Sequence, residues 1–340
     1  MNDKTASLQS EAVLGHIINS LGEPIEQETD AALSVFETGI KPVDLLTPIP
    51  RGGITALSGE FGSGRDVLLE EIIYNLAAHH NGYAVCLTMD ELGYEENRLV
   101  LLVREGNLQD KAVIIFEPQT DDREVSLRMV RNGLDLASQF RAQGREVLLV
   151  IDRSVAQQAN ILAMSEVRDA IRTQGIVAML LTDPDGLAQS GTSSAHYTLD
   201  GRINMSRELA RQGLYPAVDR LTSHSRLLGS SALSAEHRQV VTGVRQAIRG
   251  LQEPQTSVLA PEEQRFVGRA QRIQKFLTQP FAVTEPFTGT PGEYVPLAQT
   301  LKGFQALLEG RYDDLPEQAF YFAGTIEQVV AKGRGVNQQL

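Results

Sequence analysis

Apolar and polar positions alternate with two different periods along the middle of the chain. A short apolar run at 54–57 reads as a strand. A glycine-rich loop follows, and then a stretch at 67–80 that places Val67, Leu68, Ile72, Ile73 and Leu76 on one helical face. Gly82 supplies a C-terminal stop for that helix, and 83–89 reads as a second strand. Further strand signals stand at 112–116, 147–151 and 176–182, separated by helical periodicity, for example at 124–141 and 161–172. Strands and helices in alternation predict an α/β domain with a mostly parallel sheet covered by helices. Beyond about Ser225 the strand signals fade, and helical stretches at 235–251, 261–278, 297–309 and 316–332 predict a C-terminal helical bundle. The expected division is an arm at 1–36, the α/β domain at 37–225 and the bundle at 226–340.

Composition narrows the classes. The chain has 340 residues, 42% of them hydrophobic, enough for a substantial core. Its formal net charge of −12 lacks the basic stripe of a nucleic-acid surface, so nucleic acid is not an expected partner. One cysteine, Cys86, gives no disulfide framework, and no Cys/His cluster has zinc spacing. Polar opening residues and short apolar runs predict a cytoplasmic protein that meets a membrane only through partners.

The glycine loop carries the candidate chemistry. Gly59-Glu60-Phe61-Gly62-Ser63-Gly64-Arg65-Asp66 has the spacing of a phosphate-binding P-loop between a strand and a helix, with Val67 next. The motif uses a lysine on the terminal phosphate and a hydroxyl on magnesium; Arg65 and Asp66 stand in those places. A carboxylate at about 4 Å from a phosphate oxygen costs roughly 4 kcal/mol at an effective dielectric near 20. Helix-dipole attraction, typically about 0.3–1 kcal/mol, does not offset that. Arg65 either reaches phosphate or pairs with Asp66 or Glu60 and fills the anion site itself. Asp66 either repels phosphate or ligates magnesium directly.

Several ordered runs resemble the beta (catalytic) subunit of rotary proton-translocating ATP synthases. They are 15–25, 37–46, the glycine loop, Leu214-Tyr215-Pro216-Ala217-Val218-Asp219, 274–281 ending in Gln279-Pro280-Phe281, and 315–321. The resemblance covers about 13–333 and implies a RecA-like nucleotide-binding domain followed by a helical domain, with ATP or ADP and magnesium as ligands. It implies alpha-type partner subunits, or a homo-oligomer, and a place peripheral to a membrane complex. By position, Tyr215, Phe281 and Phe287 match the aromatic residues that sandwich adenine, a stacking of a kind worth about 1–3 kcal/mol per base. Glu91 matches the glutamate that orients the attacking water, and Asp152, closing the strand at 147–151, the carboxylate that holds magnesium. Glu91 also reads as a solvated surface acid, and Asp152 as an acid that closes a buried strand.

Departures from the family's pattern are as specific as the matches. Leu92 and Ala156 occupy positions of family arginines, no counterpart of the N-terminal beta-barrel is expected before residue 13, and the acidic rotor-contacting loop shrinks to Pro261-Glu262-Glu263. The leading expectation is a paralogue with little or no ATPase activity that binds adenine nucleotide weakly or structurally and assembles with partner subunits. Two alternatives remain at this point: an active subunit with a variant loop built on Arg65, Asp66 and Glu91, and a regulatory module that binds no nucleotide.

Overall fold

The computed structural model describes residues 34–91, 93–184, 199–252 and 260–336, so most of the expected N-terminal arm lies outside the described residues. A two-stranded antiparallel ribbon, β1 (Ser34–Phe36) and β2 (Ile49–Arg51), flanks helix α1 (Lys41–Leu46). The α/β part then runs β3 (Ile54–Ser58), α2 (Arg65–His80), β4 (Tyr83–Asp90), α3 (Arg98–Glu105), β5 (Ala112–Pro118) and α4 (Arg123–Ala142). It continues through β6 (Val147–Ile151), α5 (Arg153–Ala159), α6 (Ser165–Gln174), β7 (Val177–Thr182), β8 (Gly201–Asn204), α7 (Arg207–Arg211) and β9 (His224–Ser225).

These strands form one seven-stranded sheet in the order β5-β4-β6-β7-β3-β8-β9, parallel throughout except for the β8–β9 pair. Both faces are covered, which is why β6 is apolar at every position and its neighbours nearly so. Along β6, Leu148 and Val150 enter the core beneath α2 and α3, whereas Val147, Leu149 and Ile151 enter the core beneath α4, α5 and α6. That is the two-residue period of a strand buried on both sides.

The C-terminal part is helical, with α8 (Ala235–Gln252), α9 (Pro261–Phe276), the short α10 (Glu285–Thr288), α11 (Leu297–Leu308) and α12 (Ile326–Val336). Val244, Ile273, Phe276, Phe304 and Phe320 centre its core. Leu45 and Leu46 of α1 belong to that core, while Val43 of the same helix belongs to the core of the sheet. Helix α1 therefore joins the two.

Local backbone geometry corrects three expected elements. Helix α2 stops at Asn81, which adopts φ 52, one residue before Gly82. The helix expected at 161–172 is α6, separated from an unexpected α5 by Asn160 at φ 55. The helix expected at 316–332 is a 3-10 turn at Glu317–Phe320 followed by α12, and Phe322 at φ 47 makes the break. A left-handed residue cannot continue a right-handed helix, and apolar periodicity carries no trace of it.

Two carboxyls, one buried and one half-buried, give the fold a pH dependence. Asp44 accepts from Thr38 N–H at 2.8 Å, the Thr38 hydroxyl at 2.7 Å and Gly39 N–H at 2.8 Å. Burial outweighs those donors and lifts its pKa to about 7. On α2, burial, with the charges of Glu71 and Glu105 beside it, lifts Glu70 to about 7. An acid whose folded pKa is raised binds more protons folded than unfolded, so its contribution is greatest below about pH 4 and is lost as pH rises through 7. Glu70→Gln is expected to gain stability over the parent as pH rises from about 4.5 to 8, read as a growing difference in urea midpoint. A difference independent of pH would contradict this assignment.

Candidate nucleotide site

In an open parallel sheet, ligands sit outside the carboxyl ends of the strands, and the ends of β3, β4, β6 and β7 converge here. The loop after β3 takes its path from two glycines, Gly62 at φ 79 and Gly64 at φ 83, and Gly64 is also the left-handed N-cap of α2. The Ser63 hydroxyl donates to the Glu60 carbonyl at 2.7 Å and braces the turn. The loop scaffold is thus intact in backbone. Its side chains are committed elsewhere.

Arg65 Nε pairs with Asp66 at 3.0 Å, and its Nη1 turns to the Thr182 carbonyl at 3.4 Å and Asp183 at 3.9 Å, at the end of β7. The second Asp66 oxygen pairs with Arg98, at the start of α3. Arg98 also lies over the ring of Phe61, 5.3 Å from its centroid. Glu60 pairs with Arg207 at 3.4 Å and leaves Arg65 to Asp66. Deeper in the crevice Asp152 accepts from Arg153 N–H at 2.7 Å and from the Thr88 hydroxyl at 3.0 Å. Burial raises its pKa, against the lowering effect of those two donors and of Arg65. Asn97 links the Thr88 hydroxyl at 2.9 Å to Asp90 at 3.2 Å while capping α3.

An apolar chamber of about 440 Å³ opens on the other side of the loop. Val67, Tyr215, Pro216, Ala217, Phe281 and Phe322 line it. Four tethers assemble its aromatic walls from distant parts of the chain. Gln279 N–H donates to the Tyr215 carbonyl at 3.0 Å, which sets Tyr215 beside the segment carrying Phe281. Buried Glu71 on α2 accepts from Ala282 and Val283 N–H at 3.1 Å each and holds the backbone after Phe281. Phe322 N–H donates to the Thr278 hydroxyl at 2.9 Å, and the Tyr321 hydroxyl to the Gly213 carbonyl at 2.7 Å.

The chamber shares Gly62, Gly64 and Val67 with a 200 Å³ cleft lined by Glu60, Arg65, Asp66 and Arg98. That cleft shares Arg65, Asp66 and Arg98 with a 100 Å³ cleft reaching Thr88, Asp90 and Asp152. Together these adjoining spaces form a groove with an apolar half and an acid-rich half, and the glycine loop lies between them.

The structure brings Gly62, Gly64, Arg65, Asp66, Val67, Tyr215, Phe281 and Asp152 to this groove. Gly59 sits at the foot of the loop, where a Cβ would strike the Ser63 hydroxyl and Met205. Phe287 is on α10, 89% exposed, and does not line the chamber, although Thr284 and Thr288 beside it do. Glu91 is exposed at the end of β4, outside the clefts. Ala156 packs into the core on the far face of the sheet, and Leu92 lies outside the described residues. Phe322, Arg98 and Glu71 are additions that sequence reasoning missed. Phe322 directly follows the 315–321 run, but its place in the chamber depends on a left-handed backbone that no periodicity reveals.

Magnesium does not fit this donor set. Both Asp66 oxygens face guanidinium groups, which oppose a dication, and the motif's hydroxyl ligand is absent at that position. Among the described residues, no group of three or more His, Cys, Asp or Glu side chains could hold a metal. The chamber, by contrast, is lined mainly by apolar and aromatic side chains.

A mostly parallel sheet covered on both faces, a strand–glycine loop–helix unit at its centre, and a groove along its carboxyl edge define a RecA-like nucleotide-binding domain. Residues 39–174 match the family model for the ATP synthase alpha/beta family, nucleotide-binding domain. The matched span contains the loop, Glu91 and Asp152; the aromatic walls at 215, 281 and 322 lie beyond it. No helix among the described residues is long and apolar enough to cross a membrane.

Proposed function

We propose that this chain is a beta-like paralogue within the family, catalytically silent, that holds an adenine compound in its aromatic chamber and works through assembly with partner subunits. One observation carries the reading: Arg65 and Asp66 neutralise each other and their neighbours across the loop where a lysine and a hydroxyl would meet triphosphate. An arginine drawn toward Asp183 is not free to follow a terminal phosphate, and its planar fork does not replace a lysine in a tight loop. Exposed Glu91 then has no held phosphate against which to orient water. The reading divides the chain into a nucleotide-binding domain at 37–225 and a helical domain at 226–340.

Partner subunits are supported by the rim of the groove. Phe61 is 76% exposed and Phe287 89% exposed, so two large apolar side chains flank the site. An alpha-type subunit or a second copy of this chain would cover them, in a cytoplasmic assembly peripheral to a membrane complex.

Phosphate release from magnesium ATP tests the catalytic part. The expected outcome is no turnover above buffer and no difference between the parent and Glu91→Gln. Turnover abolished by Glu91→Gln would replace this reading with that of an active variant subunit. Co-expression with an alpha-type subunit tests assembly, with a stoichiometric complex expected on gel filtration.

A further inference from the structure

We propose that the groove selects adenine compounds inversely to their phosphate number, so that adenosine binds more tightly than ATP, and that Phe322 is the aromatic residue that completes the base chamber. The inference rests on the reading that the chamber takes adenine; what it adds is which adenine compound and which residue.

Charge along the groove gives the first argument. Beyond the loop, the two clefts are lined by four carboxylates, Glu60, Asp66, Asp90 and Asp152, against two guanidinium groups, Arg65 and Arg98. Both arginines are already paired with Asp66. A phosphate entering here must displace carboxylates from their cations and then lie beside them. Each additional phosphate adds negative charge farther into that acid-rich end and removes water from it. The apolar half asks nothing of the kind. A nucleoside places its base among Tyr215, Phe281 and Phe322 and leaves only hydroxyls at the loop.

The chamber's own walls give the second argument. Phe281 is 6% exposed and Tyr215 is 43% exposed, so one ring is a buried wall and the other a half-open lid. Phe322 lines the same chamber from the break before α12, with its ring 4.4 Å from that of Tyr321. Its φ of 47 is rare for a bulky residue, and backbone held in a sparsely populated region gathers at ligand clamps. The Thr278 hydroxyl, accepting from Phe322 N–H, holds that conformation from the end of α9. Phe287, exposed on α10, contributes no wall in this arrangement.

Isothermal titration of the full chain with adenosine, AMP, ADP and ATP, each with magnesium and with EDTA, tests the order. Affinity is expected to fall at each added phosphate, with ATP at least about tenfold weaker than adenosine in EDTA. Asp66→Asn should flatten the series. Phe322→Ala should weaken adenosine by about tenfold and Phe322→Tyr should retain it, the latter controlling for misfolding. ATP binding tightest in either buffer would overturn the inference and leave the adenine reading standing. Unchanged adenosine affinity in a folded Phe322→Ala protein would remove Phe322 from the role. If neither adenosine nor ATP binds, the adenine reading itself fails, and this inference with it.

Discussion

Replacing Arg65 with Lys and Asp66 with Thr together is expected to raise the affinity for magnesium ATP by about 100-fold, near 2.7 kcal/mol. The parent loop has the backbone for phosphate, with Gly62 and Gly64 in left-handed conformations and Gly64 opening α2. What opposes phosphate is the Asp66 carboxylate, whose repulsion at about 4 Å is roughly 4 kcal/mol at an effective dielectric near 20. Threonine removes that charge, supplies the missing hydroxyl and releases Arg98, which is exposed and can turn to an anion. Lysine in place of Arg65 drops the fork now drawn to Asp183 and the Thr182 carbonyl. The two sites share partners, so the double variant should exceed the sum of the singles. Titration calorimetry of the four proteins measures this directly. A folded double variant with parental affinity would mean that the acids deeper in the groove, Asp90 and Asp152, close the phosphate half without help from the loop. The same variant should reverse the ligand order, making ATP the preferred adenine compound.

Much of the α/β half was legible because its strands are buried on both faces and its helices on one, which writes two clear periods into the sequence. The unit from β3 through the loop to α2 is the best example. Elements fixed by a single backbone angle were not legible: the stops at Asn81 and Asn160, and the break at Phe322, depend on left-handed residues that are not glycine. Helix α3 is short, and its cap, Asn97, follows a loop with no apolar period. The site divides along the same line. Positions 59–67 and 152 could be read from a motif and a strand end. The aromatic chamber could be reached only by resemblance, because its tethers join residues far apart, as Glu71 joins Ala282 across 211 positions. Resemblance pointed to Phe287, an exposed position on α10, whereas Phe322 is a ring that lines the chamber. Arg98 escaped both routes, since nothing local marks an exposed helix-start arginine as the partner of Asp66.

Phe276→Ala is expected to destabilise the protein by about 3–5 kcal/mol, among the largest costs of any single truncation in the helical core. Phe276 is completely buried at the end of α9, with ring centroids 4.9 Å from Phe304 and 6.5 Å from Phe320. The ammonium of Lys41 lies 4.0 Å from its ring centroid, so removing the ring also strips a favourable face from a buried lysine. Collapse into the vacated space is restricted. The Lys41 side chain is fastened to the Ala323 carbonyl, and its backbone N–H donates to Gln279 at 2.9 Å. Gln279 in turn donates to the Gly39 carbonyl at 2.7 Å and the Glu293 carbonyl at 2.6 Å. With α1 and the segment after α9 fastened around it, the cavity should persist, which places the cost toward the upper end of the range. A fall of roughly 10 °C in thermal midpoint is the expected readout, at about 2–4 °C per kcal/mol for a chain of this size. Phe287→Ala, by contrast, removes an exposed ring and should change stability by less than about 0.5 kcal/mol. The damage at Phe276 should also reach the chamber. Thr278, which holds Phe322, and Gln279, which holds Tyr215, follow Phe276 directly in sequence, so loosening the end of α9 loosens two walls together. Adenosine affinity measured well below the unfolding transition should therefore fall in Phe276→Ala although no atom of Phe276 lines the chamber. Parental affinity in that variant would show that the aromatic walls are held without the end of α9, and would locate their support in the Glu71 tether alone.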